Sequence, residues 1–114
     1  MAEIDRDKVR KDFDEAVNMT ASELTKWLGT KESRAVGWKG DDGKGKGESV
    51  GHASGRRIVA ILGKKKSELS DDDYAHMRKV VGYVRRHRAQ EPANIATSRW
   101  RYALMNWGND PLKS

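Results

Sequence analysis

"LSDDDYAHMRKVVGYVRRHRAQEP", residues 69–92, reads as one long helix with both ends written into it. Ser70 is a good N-cap, and Asp71, Asp72 and Asp73 place negative charge at the positive end of the helix dipole. Leu69 and Tyr74 stand where a hydrophobic staple requires them. Tyr74, Met77, Val81 and Val84 recur at helical spacing and trace a stripe to be buried. Arg85, Arg86, His87 and Arg88 load the negative end, and Pro92 marks the stop. His76, Lys79, Tyr83 and Arg86 form a second, polar row on the same helix. Gly82 sits mid-helix, where glycine costs about 1 kcal/mol relative to alanine. That cost predicts close approach of another helix, or of a nucleic-acid backbone, with the helix favoured.

The flanking sequence carries the same grammar. Before it, "GRRIVAILGKKK" has Ile58, Ile61, Leu62 and Lys65 at helical spacing. A helix is expected there despite the β-branched content, with Ser49 or Ser54 as its cap. The connection to the next helix, Lys64 to Ser70, makes a helix–loop–helix with a loop longer than a compact helix-turn-helix turn. After it, "TSRWRYALMNWGNDP" is capped by Thr97 or Ser98, lined by Trp100, Ala103, Leu104 and Trp107, and ended by Gly108 and Pro111. In the N-terminal part, Val9, Phe13, Ala16 and Val17 share one helix face. "MTASEL" holds a capping box, Thr20 with Glu23, and a staple, Met19 with Leu24. Leu24, Trp27 and Leu28 follow as a stripe that Gly29 ends, and Thr30 caps a short helix reaching Val36.

The expected fold is therefore all-α, a single small domain of five or six short helices. Its expected core is Phe13, Leu24, Trp27, Ile58, Ile61, Leu62, Met77, Val81, Val84, Trp100, Leu104 and Trp107. The chain has 114 residues, enough for one domain with one modest core. Residues 1–39 supply its N-terminal helices, 40–48 a flexible glycine-rich connector, and 49–114 a basic helical half. No apolar run is long enough to span a membrane, and the N-terminus lacks the apolar core of a signal peptide. With no cysteine there is neither a disulfide nor a thiolate site. A cytoplasmic place is expected, at the nucleoid if DNA is bound.

The region from Gly40 to Gly55 holds six of the eleven glycines. Gly40, Gly45 and Lys46 fit the spacing of a phosphate-binding loop. No strand precedes them, Gly47 replaces the hydroxyl that would ligate Mg²⁺, and Asp41–Asp42 would repel phosphate. Asp41, Asp42 and Glu48 miss the alternation of a calcium loop. "GHASG" places Ser54 beside Gly55 rather than midway between glycines, unlike a hydrolase elbow. Gly51 and Gly55 are open to two uses, close packing or close approach of a ligand. His52, His76 and His87 are too far apart to share a metal, so neither metal nor cofactor is expected. Enzyme activity would need a concave pocket joining His52 or His76 to a carboxylate, and none is expected.

Charge is the remaining signal. Residues 1–50 carry ten Lys/Arg and eleven Asp/Glu, whereas residues 51–114 carry thirteen and six. The whole net excess of +6 thus falls in the second half, which suggests a polyanionic partner. Arg56, Arg57, Lys64, Lys65, Lys79, Arg85, Arg86 and Arg88 are the expected phosphate contacts, and duplex DNA is the expected partner. The alternative is a protein-interaction module or homodimer that uses exposed Trp and Arg. A contiguous basic face would favour DNA, and an exposed Trp-lined groove a protein. No small-molecule substrate is expected.

Three stretches, "ESVGHASGRRIVAIL", "LSDDDYAHMRKVVGYVRRHRAQ" and "SRWRYALMNWGNDPLK", resemble a small bacterial family, domain of unknown function 3140. "FDEAVNMTASELTKWLGTKES" resembles its N-terminal part, so the resemblance spans nearly the whole chain. Members are commonly labelled DNA-binding proteins. The resemblance therefore implies DNA binding, without residue roles or a mechanism.

Overall fold

A computed structural model describes residues 5–36 and 49–113. The expected connector, residues 40–48, lies outside the described residues. Six α-helices are present among them, with no strand: α1 (Arg6–Ala16), α2 (Ala21–Leu28), α3 (Lys31–Ala35), α4 (Val50–Leu62), α5 (Asp71–Arg88) and α6 (Arg99–Asn106). One 3₁₀ turn, Lys66–Glu68, precedes α5.

Each helix starts on a side chain that accepts an orphan backbone N–H. Asp5, Thr20, Thr30, Ser49, Ser70 and Ser98 fill this role for α1 to α6 in turn. Thr20–Glu23 and Ser70–Asp73 form complete capping boxes. Ser49, not Ser54, starts α4, so "VGHASG" is the first half of a helix. That helix ends at Leu62 with Gly63 as its cap. Lys65 therefore does not continue the apolar face as its spacing predicted, and instead precedes the 3₁₀ turn.

The termini of α6 and α1 are joined by a specific clasp. Gly108 adopts φ +84°, and its N–H donates to the Met105 carbonyl while the Asn109 N–H donates to that of Leu104. This is the Schellman pattern. The turn then bonds to the α1–α2 corner. Asn109 Nδ2 donates to the Ala16 carbonyl at 2.6 Å. Asn18 and Asp110 exchange side-chain-to-backbone bonds at 2.9 and 2.8 Å. Arg101 holds Asp110 with two bonds of 3.1 Å.

Helix α1 packs on α5 and α2 on α4, while α6 touches α2, α3, α4 and α5. The core gathers Phe13, Leu24, Ile58, Met77, Val84, Leu104 and Trp107 as expected. Trp27, Leu62 and Trp100 pack against it only partly buried. Val80, wholly buried, was not on the expected stripe. Helix α5 is packed by α1, α4 and α6, so its buried face is wider than one stripe.

One buried polar knot ties three helices. Asn106, fully enclosed in α6, accepts from Trp27 Nε1 at 2.8 Å and from Ser33 Oγ at 2.5 Å. Its Nδ2 donates to the Ser33 carbonyl at 3.0 Å. All its hydrogen-bonding capacity on that side is spent on α2 and α3.

Candidate nucleic-acid interface and the adjoining cleft

The outer face of α5 is set by its sequence. Beyond its first turn the helix carries no carboxylate. Arg78, Lys79, Arg85 and Arg86 are all exposed there. Arg78 and Arg85 form one row, Lys79 and Arg86 the next, each pair spaced seven apart. Ala75, Gly82 and Ala89 run between the rows, so the strip separating the cations is low.

Several of the eight expected contacts meet partners within the chain. Asp73, only 4% exposed, takes Lys64 at 2.7 Å and Arg57 at 3.5 Å. The Lys64 hydrogen bond is the main reason its carboxyl is held down to about 2. One carboxylate facing two cations still leaves that corner positive. Arg85 reaches Asp12 at 3.4 Å, and Arg88 donates to Asn109 Oδ1 at 3.5 Å. Lys65 is exposed near the 3₁₀ turn. Arg56 lines a separate shallow cleft with Arg34 and His52. Lys79 and Arg86 have no ion-pair partner among the described residues, and they line one cleft together.

Gly82 does not seat a helix, contrary to its sequence reading. The space a Cβ would fill there meets only the Arg86 guanidinium, at 3.1 Å, a flexible group that can shift. Gly82→Ala should therefore raise stability by about 0.5–1 kcal/mol through helix propensity, read as a higher urea midpoint at unchanged m-value. A lower midpoint would mean that something fixed occupies that space.

Between α5 and α6 five rings run nearly parallel, in the order His76, Trp107, Tyr83, His87, Trp100. Their centroids are 6.3, 4.3, 5.1 and 5.9 Å apart. Helix α5 supplies three rings and the α6 segment two. Two pairs spaced seven apart, His76/Tyr83 and Trp100/Trp107, were the sequence signal for this column, and it was missed. Trp100 Nε1 donates to the His87 carbonyl at 2.6 Å, and His87 Nε2 donates back to that of Trp100 at 3.2 Å. Burial pushes His87 below the ordinary imidazole range. Burial first, then Arg57 and Lys79, does the same to His76. Burial also raises the Tyr83 phenol. The column is thus uncharged at neutral pH.

His76 and Ser54 share a hydrogen bond of 2.9 Å across α4 and α5. Ser54 is buried, and Asp73 is occupied by cations rather than by His76. The pair fastens two helices. His52 Nε2 donates to the Leu28 carbonyl at 2.7 Å and so closes the end of α2.

The cleft holding Lys79 and Arg86 is about 290 Å³. Helix α4 contributes Val50 and Gly51, α5 adds Tyr83, and Ala103, Asn106 and Trp107 close the far side. The two glycines left open by the sequence now separate. A Cβ on Gly55 would lie 2.5 Å from the Asn106 carbonyl oxygen and 2.7 Å from Leu28, so Gly55 serves packing. A Cβ on Gly51 would lie 2.9 Å from Trp107 Nε1, at the cleft.

A model of the family described as "Protein of unknown function (DUF3140)" matches residues 12–105. The chain belongs to this family. The match takes in all of α2 to α5 and most of α6, including Gly51, Lys79, Tyr83, Arg86 and Ala103; Asn106 and Trp107 lie just past it. No curated protein and no solved structure matches the chain. No helix among the described residues is long and apolar enough to cross a membrane.

Proposed function

We propose that this DUF3140 member binds duplex DNA, chiefly through phosphates, on the outer face of α5. The observation that carries the reading is the contiguous basic face: Arg78, Lys79, Arg85 and Arg86 stand exposed in two rows on a helix without a carboxylate beyond its first turn. Arg85, although it meets Asp12 of α1 at 3.4 Å, keeps most of its side chain in solvent, where such a pair is weak and exchangeable. Arg57, which like Lys79 is close enough to His76 to act on its charge, extends the band onto α4. Small residues between the rows let a phosphate backbone approach the helix. The protein-partner alternative lacks comparable support. Among the described residues the tryptophans are at least partly buried, and only Val50 and Leu112 are large apolar side chains standing exposed.

Each phosphate neutralised by Lys or Arg releases counterions, so log K falls with log salt at about 0.9 per contact. Four contacts predict a slope near −3.6, roughly a hundredfold weaker binding at 200 mM than at 50 mM salt. Fluorescence anisotropy on a labelled duplex measures this directly. Arg78→Gln with Arg85→Gln should flatten the slope by about 2. Absence of duplex binding at ~50 mM salt ends the proposal.

A further inference from the structure

We propose that the cleft between the first turn of α4, α5 and α6 binds a small organic carboxylate with a compact apolar body. The site stands apart from the DNA reading, although the two share Lys79 and Arg86.

The hydrogen-bonding groups of the cleft are nearly all donors. Trp107 is 4% exposed, and its indole N–H has no acceptor among the described residues. The other two described tryptophans each donate, Trp27 to Asn106 and Trp100 to His87. The Trp107 nitrogen lies beside Gly51, where any side chain would cover it. The nitrogen is not sealed off: glycine at 51 keeps it open to the cleft, where a ligand can accept from it. The Val50 and Gly51 amides open α4, where no intrahelical acceptor exists. Lys79 and Arg86 add two cations without ion-pair partners among the described residues. Acceptors are scarce, since the Asn106 carboxamide oxygen is already taken by Trp27 and Ser33.

Donors and cations without acceptors call for an anion. The walls decide which kind. Val50, Ala103 and the Tyr83 ring are apolar surface, and Val50 is 40% exposed. A bare phosphate would leave that surface uncovered and bring a second charge against it. A single carboxylate with one ring or one branched chain uses both halves of the cleft. The volume of about 290 Å³ sits at the small end of ligand clefts, roughly 300–1,000 Å³.

Titration of the ¹⁵N-labelled full chain with benzoate, and separately with isovalerate, at fixed ionic strength tests this. The readout is the Trp107 indole N–H cross-peak, assigned by its proximity to Gly51. A saturable shift is expected with at least one carboxylate, and none with benzyl alcohol. Lys79→Gln and Arg86→Gln, both on exposed side chains, should each weaken binding about tenfold, as expected for a lost charged hydrogen bond. Gly51→Ala should abolish the shift; should that variant unfold, the two glutamine variants still decide. Arg78→Gln, outside the cleft, should leave it intact whether or not DNA binds. No saturable shift with either carboxylate, an equal shift with benzyl alcohol, or unchanged affinity in both glutamine variants overturns the proposal.

Discussion

Gly55→Ala should cost about 3 kcal/mol or more, seen as a large drop in the urea midpoint or as failure to fold. On propensity alone alanine would be the better residue mid-helix, by about 1 kcal/mol. The surroundings reverse the sign. The new methyl would stand 2.5 Å from the Asn106 carbonyl oxygen and 2.7 and 3.2 Å from the two Leu28 methyls. The carbonyl is backbone of α6 and cannot swing aside, and Leu28 is itself buried. Helices α4 and α6 would have to part, and overpacking of this kind costs about 1–3 kcal/mol even where neighbours can relax. The same substitution at Gly82 is expected to stabilise, so the pair isolates packing from propensity. A Gly55→Ala protein as stable as its parent would mean that α4 and α6 do not approach as described.

Asn106→Leu should be of similar size, about 3–5 kcal/mol. The two side chains are close in volume, so little cavity is made. What is lost is the partner of three buried groups: the Trp27 indole N–H, the Ser33 hydroxyl and the Ser33 carbonyl. Each unsatisfied group costs about 1–3 kcal/mol. Trp27→Phe removes only one donor and should cost clearly less. Combined with Asn106→Leu it should recover part of the loss, because the stranded N–H is gone. Strictly additive costs in urea denaturation would show that the Trp27–Asn106 bond contributes nothing.

The helices were legible because their signals are local. Thr20 with Glu23, Ser70 with Asp73, Ser98 and Gly108 each act within one turn, and the structure uses them as read. What depends on neighbours was not legible. Asp73 reads as one of three acids at a helix start, yet it is also the buried anchor of Lys64 and Arg57. Gly51 and Gly55 look alike in sequence, four apart on one helix. They differ in what α2 and the α6 segment bring against each. The row His76, Lys79, Tyr83 and Arg86 was visible as a row. That Trp107 would stack beside it, and that Gly51 would open onto it, required three separated segments to meet. Sequence reading therefore gave no reason to expect a small ligand. The eight expected DNA contacts rest on local charge density, which does not show which cations also meet a distant carboxylate, as Arg85 meets Asp12.

The clasp around Gly108 bears on the order in which the molecule can be built. Its bonds join residues 92 and 93 positions apart, Asn18 to Asp110 and Ala16 to Asn109. Loops of that span close slowly and gain their contacts only at the end of the search. On a ribosome the corner between α1 and α2 emerges some ninety residues before its partner turn. The clasp therefore cannot close on the corner when that corner first appears, and it forms only once residues 108–110 have also left the exit tunnel.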